Sequence, residues 1–343
     1  MGLVGLVVSA YGFPQLLLRI PIGIWSDRIG ARKPFILAGI VGAALSGLGL
    51  AVSADPWWLV VFRGISGMAA GVWVVFTVFI ASYFPPERVT RAMSLVTFVG
   101  ALSEMFATYA GGMIAEMWGW TAPFYVGGGL ALVGLAVALP LKEKPPATRR
   151  KTTPRELFRT GTTPLLLVVS FIAMLTTWTQ WVTVYGFTPV YAVGLGATRA
   201  DLGTLTAAMQ LGYTIFTFLA AYAADRFGAR VTVIVGLIVQ ATGAVMVPGV
   251  SSLWLIGLSQ FLGGAGRGLS RPVLMGMSIR SVSSAERATA MGVFQAVYAL
   301  GMFGGPATAG FLADAFGLSS IFLLAGLVTL AGIPAVLAKV PDK

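Results

Sequence analysis

Apolar residues run along this chain in blocks of about 20, separated by short clusters rich in charge, Gly and Pro. A block of that length crosses a bilayer as one helix. The blocks fall at approximately 3–25, 34–53, 57–81, 90–115, 120–140, 164–192, 201–224, 231–249, 253–278, 288–313 and 317–338. Eleven spanning helices are therefore predicted.

The separators repeat. Gly23-Ile24-Trp25-Ser26-Asp27-Arg28-Ile29-Gly30-Ala31-Arg32-Lys33-Pro34 returns as Ala221-Tyr222-Ala223-Ala224-Asp225-Arg226-Phe227-Gly228-Ala229-Arg230. Asp27 and Asp225, Arg28 and Arg226, Gly30 and Gly228, and Arg32 and Arg230 are each 198 residues apart. The chain is read as two copies of one unit. Subtracting that offset from 164–192 puts its partner before residue 1. Twelve helices are thus expected, of which this sequence holds eleven. A misassigned start codon, a truncated gene or a true eleven-helix protein would each account for the difference.

Composition agrees with the blocks. Hydrophobic residues make up 57% and charged residues only 10%, against about 25% charged in soluble domains. With no Cys and no His, disulfides, thiolate chemistry, His metal sites and His proton relays are excluded. The net charge of +11 is explained by placement. With the Asp27 turn cytoplasmic, eighteen basic residues lie on that side, and Arg199 alone lies in the outer loops. That is a positive-inside pattern, so no nucleic-acid partner is implied. Trp57, Trp58, Trp118, Trp120 and Trp254 fall at outer segment ends, as interfacial anchors do. Residues 141–163 form the one long polar stretch, with Arg149-Arg150-Lys151 and three prolines. It is read as a cytoplasmic linker between 1–140 and 164–343, and the C-terminus is also read as cytoplasmic.

The turn Gly23-x-x-x-Asp27-Arg28-x-Gly30-x-Arg32-Lys33 resembles the signature loop of the major facilitator superfamily. Arg63-Gly64-Ile65-Ser66-Gly67-Met68-Ala69-Ala70-Gly71 is similar to that family's fourth-helix Arg and Gly motif. Trp118-Gly119-Trp120-Thr121-Ala122-Pro123-Phe124 is similar to its start of helix six, and Glu286-Arg287 mirrors Glu87-Arg88. The resemblance implies an all-α integral membrane protein with two pseudo-symmetric helical bundles. Residues 1–140 would hold family helices two to six, and 164–343 helices seven to twelve. Two departures bear on the subfamily. The Gly-Pro-x-x-Gly-Gly run of drug/proton antiporters is replaced by Ala107-Thr108-Tyr109-Ala110-Gly111-Gly112, and Ala221 stands where the second loop would begin with Gly.

Function is read on that frame. The loops around Gly23, Asp27, Arg28, Gly30, Arg32, Lys33 and Arg88, and around Asp225, Arg226, Gly228 and Arg230, are expected to gate one side of the transporter. Tight-turn packing with positive-inside charge is the plainer reading. Ionisable residues at membrane depth are costly and usually functional; these are Arg19, Arg63, Glu104, Arg267 and Arg271. Glu104 lies roughly 21 Å along its helix and Arg63 roughly 10 Å inside its own, so the two share a depth. Glu104 is expected to carry protons with Arg63 beside it; a static pair holding two helices is the other reading. Arg267 and Arg271 share a helix face, and with Arg19 they suit a carboxylate or phosphate ester. Snorkelling of Arg19 and Arg271 is the alternative.

Helices seven and ten line the cavity in the family. Trp178, Gln180, Trp181 and Tyr185 are therefore candidate substrate contacts, followed by Gln210, Gln295 and Tyr298. No nucleotide-binding motif occurs, and no cofactor, metal or catalytic group is expected. The sequence thus predicts a permease in the inner or plasma membrane, acting as a monomer on a small-molecule substrate with protons. Efflux is favoured; uptake or exchange of an organic anion and a non-transporting receptor or scaffold are the alternatives.

Overall fold

The structure is a computed structural model and describes residues 1–143, 161–280, 282, 286–340 and 342. The basic cluster of the linker lies outside these residues, as does the side chain of Asp27. The described residues are helical almost throughout, with no strand among them.

The first span is broken into α1 (Gly2–Ser9) and α2 (Gly12–Ile29), and α3 covers Lys33–Val52. Next come α4 (Pro56–Gly71) and α5 (Trp73–Ala81), then α6 (Pro86–Trp118) and α7 (Ala122–Ala138). The second half begins with α8 (Pro164–Val182), which passes through a π turn at Thr183–Phe187 into α9 (Thr188–Gly194). It continues as α10 (Arg199–Phe227), α11 (Ala229–Met246), α12 (Leu253–Arg280), α13 (Arg287–Phe316), α14 (Leu318–Leu330) and α15 (Ile333–Lys339).

Nine stretches among the described residues are long and apolar enough to cross a membrane, and α7 is a shorter apolar helix. The 28-residue α12 is outside that set, since Arg267 and Arg271 interrupt its apolar run. Local chemistry sets the helix ends. Asp55 caps α4 by accepting from Trp57 N at 2.7 Å. Thr198 and Asp201 form a reciprocal capping box at the start of α10.

The duplication is visible in the backbone. Gly30 and Gly228 both have positive φ, 70° and 89°, and end α2 and α10. Gly119 and Gly317, at φ 92° and 82°, end α6 and α13. Each pair is separated by the same 198 residues.

The two halves meet closely at the end opposite the signature loops. A Cβ on Gly203 of α10 would stand 2.7 Å from Thr108 O, and one on Gly112 of α6 would stand 2.8 Å from Gly203 Cα. Only glycine allows this approach of α6 to α10. At the same end α1 lies against α13, where Gly2 N donates to Asp314 Oδ2 at 2.7 Å. Gly5 sits directly on Pro306 O. Glycine packing of this kind holds helices together in lipid, where apolar burial supplies little drive.

Candidate functional site: an arginine and aromatic seam between the halves

The seam begins on the broken first span. Arg63 of α4 places its guanidinium 5.1 Å from the centre of the Tyr11 ring. Tyr11 stacks on Trp181 of α8, with centroids 5.2 Å apart and planes 19° apart. Trp181 touches Tyr185 at 4.9 Å, and Tyr185 Oη donates to Glu104 Oε1 of α6 at 2.9 Å. The run passes from the N-terminal half to the C-terminal half and back. The expected Arg63–Glu104 pair is not made: Arg63 rests on Tyr11 and Glu104 accepts from Tyr185 instead. Glu104 is also exposed rather than buried.

A second cluster lies on α2, α12 and α13. Arg19 is 8% exposed and donates to Gln15 Oε1 at 2.5 Å, Tyr298 Oη at 2.6 Å and Gln295 Oε1 at 3.1 Å. Snorkelling of Arg19 is thereby overturned, since its polar partners are inside the protein. Arg271 lies 4.5 Å from the Tyr298 ring centre, and Arg19 lies 5.3 Å from the same ring. Arg267 lies 4.5 Å from the ring centre of Tyr213 on α10. Among the described residues, none of Arg19, Arg63, Arg267 and Arg271 makes an ion pair within 4.0 Å. All four rest on tyrosine faces, and Nε of both Arg19 and Arg267 is buried without a partner.

The remaining candidates divide. Trp181, Tyr185, Gln295 and Tyr298 lie on the seam. Trp178 instead packs against the apolar cluster around Phe322, and its backbone meets Gly301 and Gly305 of α13. Gln180 points into the interior of the C-terminal half, lining a small cavity with Gln240 and Ser259. Gln210 is 1% exposed with an unpartnered Oε1.

The loop residues show an arrangement that the sequence reading missed. Glu143, just beyond α7, accepts from Arg32 N at 2.6 Å and Lys33 N at 3.0 Å. Its carboxylate therefore sits on the N-terminus of α3, where peptide dipoles favour an anion. Lys33 Nζ returns a bond to Leu139 O at 2.5 Å. The second half does something similar with its last helix. Arg230 Nε donates to Val340 O at 2.9 Å and its guanidinium pairs with Asp342 at 2.9 Å. Gly228 lies directly under Asp342 O. Arg28, Arg88, Asp225 and Arg226 are exposed. Gly23 does not serve close approach in this conformation, since the nearest atom to a Cβ there would be Val74 Cγ1 at 4.0 Å.

Two helical halves that close at one end around a polar, aromatic seam define a membrane transporter. The model of the Major Facilitator Superfamily matches residues 1–198 and 166–343, and the chain belongs to that family. It is similar to the multi-drug resistance efflux pump PmrA of Streptococcus pneumoniae, 25% identical over 94% of this chain and 82% of PmrA. It is 27% identical to the class B tetracycline resistance protein of Escherichia coli, over 83% of this chain and 72% of that protein. Among solved structures, the nucleoside transporter NupG superposes with a TM-score of 0.78 at 15% identity, covering 99% of this chain and 91% of NupG.

Proposed function

We propose that this chain is a proton-coupled exporter of small amphipathic compounds, working by alternating access. The moving parts are a bundle of residues 1–140 and a bundle of residues 164–343, joined by 141–163. The signature-loop end faces the cytoplasm of a cell with this protein in its inner or plasma membrane, in keeping with the eighteen basic residues on that side. The close packing of α6 on α10 then seals the external side. Export is supported by the names of the relatives, an efflux pump and a tetracycline resistance protein.

One observation carries the reading. Glu104 bonds across the interface to Tyr185 at 2.9 Å, so a carboxylate on the aromatic seam helps to hold the two halves together. Protonation removes the charge that the phenol donates to and weakens that link, which biases the balance between conformations. The test is flux in proteoliposomes under an imposed pH gradient. A lipophilic cation should evoke proton counterflow, and Glu104→Gln should abolish it while the protein still folds. Equal counterflow in the variant sinks the reading.

A second reading rests on the four arginines. Charge at membrane depth without a counter-ion is costly, and a carboxylate or phosphate ester would supply one bidentately. Flux evoked by organic anions and not by cations would favour it.

A further inference from the structure

Within the C-terminal half, away from the seam, α8, α10, α11 and α12 enclose a polar cavity of about 10 Å³. Gln180, Gln240, Thr183 and Ser259 are among its lining residues. Gln180 is 4% exposed and Gln240 2%, and Oε1 of each has no hydrogen-bond partner. Several of the surrounding donors are engaged elsewhere. Thr183 Oγ1 donates to Thr179 O at 2.9 Å and Ser259 Oγ to Ile256 O at 2.8 Å. Gln240 Nε2 donates to Thr176 O at 2.9 Å and Gln260 Nε2 to Thr188 Oγ1 at 3.1 Å. Turning the Gln240 amide over would set its oxygen against the Thr176 carbonyl, so its orientation is fixed by the backbone.

The cavity is therefore rich in acceptor oxygen. Leaving two amide oxygens buried and unmet costs the desolvation of each. An occupant that relieves this must present two donors and fit a space near the lower limit for one water, about 10–15 Å³. It must also be neutral. No charged residue lines the cavity, so a cation would lose its hydration with no carboxylate to offset the cost.

We infer that one water molecule occupies this cavity and bridges Gln180 Oε1 to Gln240 Oε1. It ties α8 to α11 at the residue before Trp181, beside the π turn at Thr183–Phe187. Such turns often mark functional stretches of a helix. Gln180 thus serves the interior of the C-terminal half, while its neighbour Trp181 serves the interface.

The test is a structure of the intact protein with ordered solvent, determined once in sodium chloride and once in thallium chloride. The expected result is one peak about 2.7–3.2 Å from both amide oxygens, without anomalous signal in thallium. An empty cavity, or a thallium signal within it, overturns the inference. Thermal unfolding gives an independent check. The midpoint should be the same in sodium chloride and choline chloride at equal ionic strength; a sodium-specific rise overturns the water assignment. Gln180→Leu and Gln240→Leu should each lower the midpoint, and the double variant should lower it by less than the two shifts together, because one water is lost only once. Strict additivity counts against a shared water, and if either variant fails to fold, the wild-type structure decides.

Discussion

Glu143 and Lys33 join the start of α3 to the stretch after α7: the Glu143 carboxylate accepts from Lys33 N at 3.0 Å, and Lys33 Nζ donates to Leu139 O, four residues before Glu143. The carboxylate acts as a helix cap supplied by a distant stretch of chain, and it anchors the signature loop to the end of α7. Glu143→Ala should cost about 1 kcal/mol, as loss of an N-cap does, read as a lower unfolding midpoint in detergent. Glu143→Gln should recover part of that loss, because an amide oxygen still accepts.

Gly30 and Gly228 separate conformation from contact. Both need positive φ, so an Ala at either costs about 1 kcal/mol. Gly228→Ala also drives a methyl into Asp342 O. It should be clearly the more destabilising of the two by thermal unfolding, and equal shifts would refute the assigned contact.

Closure at the far end depends on the approach of Gly203 to Thr108. Gly203→Val should hold α6 and α10 apart and reduce flux at least tenfold without unfolding the halves. The native chain has no cysteine, so a single Cys placed at Thr108 reports the opening cleanly. Its labelling from the external side should be slow in the parent and fast with Gly203→Val.

Tyr185→Phe removes the donor to Glu104 and keeps the ring on Trp181. A hydrogen bond to a charged group is worth about 1.5–3 kcal/mol, so coupled flux should fall roughly tenfold to a hundredfold. Adding Glu104→Gln should then cause little further loss. Independent losses would show that the two residues do not act together.

Arg19 reads out the choice of substrate. If anions are carried, Arg19→Gln should cut anion-evoked flux at least tenfold, and Arg19→Lys should restore little, since an ammonium lacks the planar fork. If cations are carried, both variants should retain cation-evoked flux and show mainly a lower unfolding midpoint.

The helices and their duplication were legible because lipid imposes a length and glycine turns impose a spacing. The seam was only partly legible. Depth along a helix placed Arg63 and Glu104 at one level, but depth carries no information about azimuth, and each side chain meets a tyrosine instead of the other. Gln180 failed for a related reason. It stands two residues from Trp178 and one from Trp181, roughly 200° and 100° around a helix, so it turns into its own bundle while Trp181 turns out of it. Glu143 and Asp342 were hidden because they are 199 residues apart, one step off the 198-residue offset. Tyr11, Tyr213 and Tyr298 gave no signal as supports for arginine, since nothing in the local pattern distinguishes such a tyrosine from an ordinary apolar one.

The run from Tyr11 to Glu104 fastens α8 to the N-terminal half at two points of different kinds. The Tyr11–Trp181 stack contains no group that titrates near neutral pH, while the Tyr185–Glu104 bond ends on a carboxylate. On the proposed proton coupling, loss of the Glu104 charge would loosen the second fastening and leave the first in place. The helix would then swing like a door on its hinge, with its latch four residues further along the chain, inside the π turn.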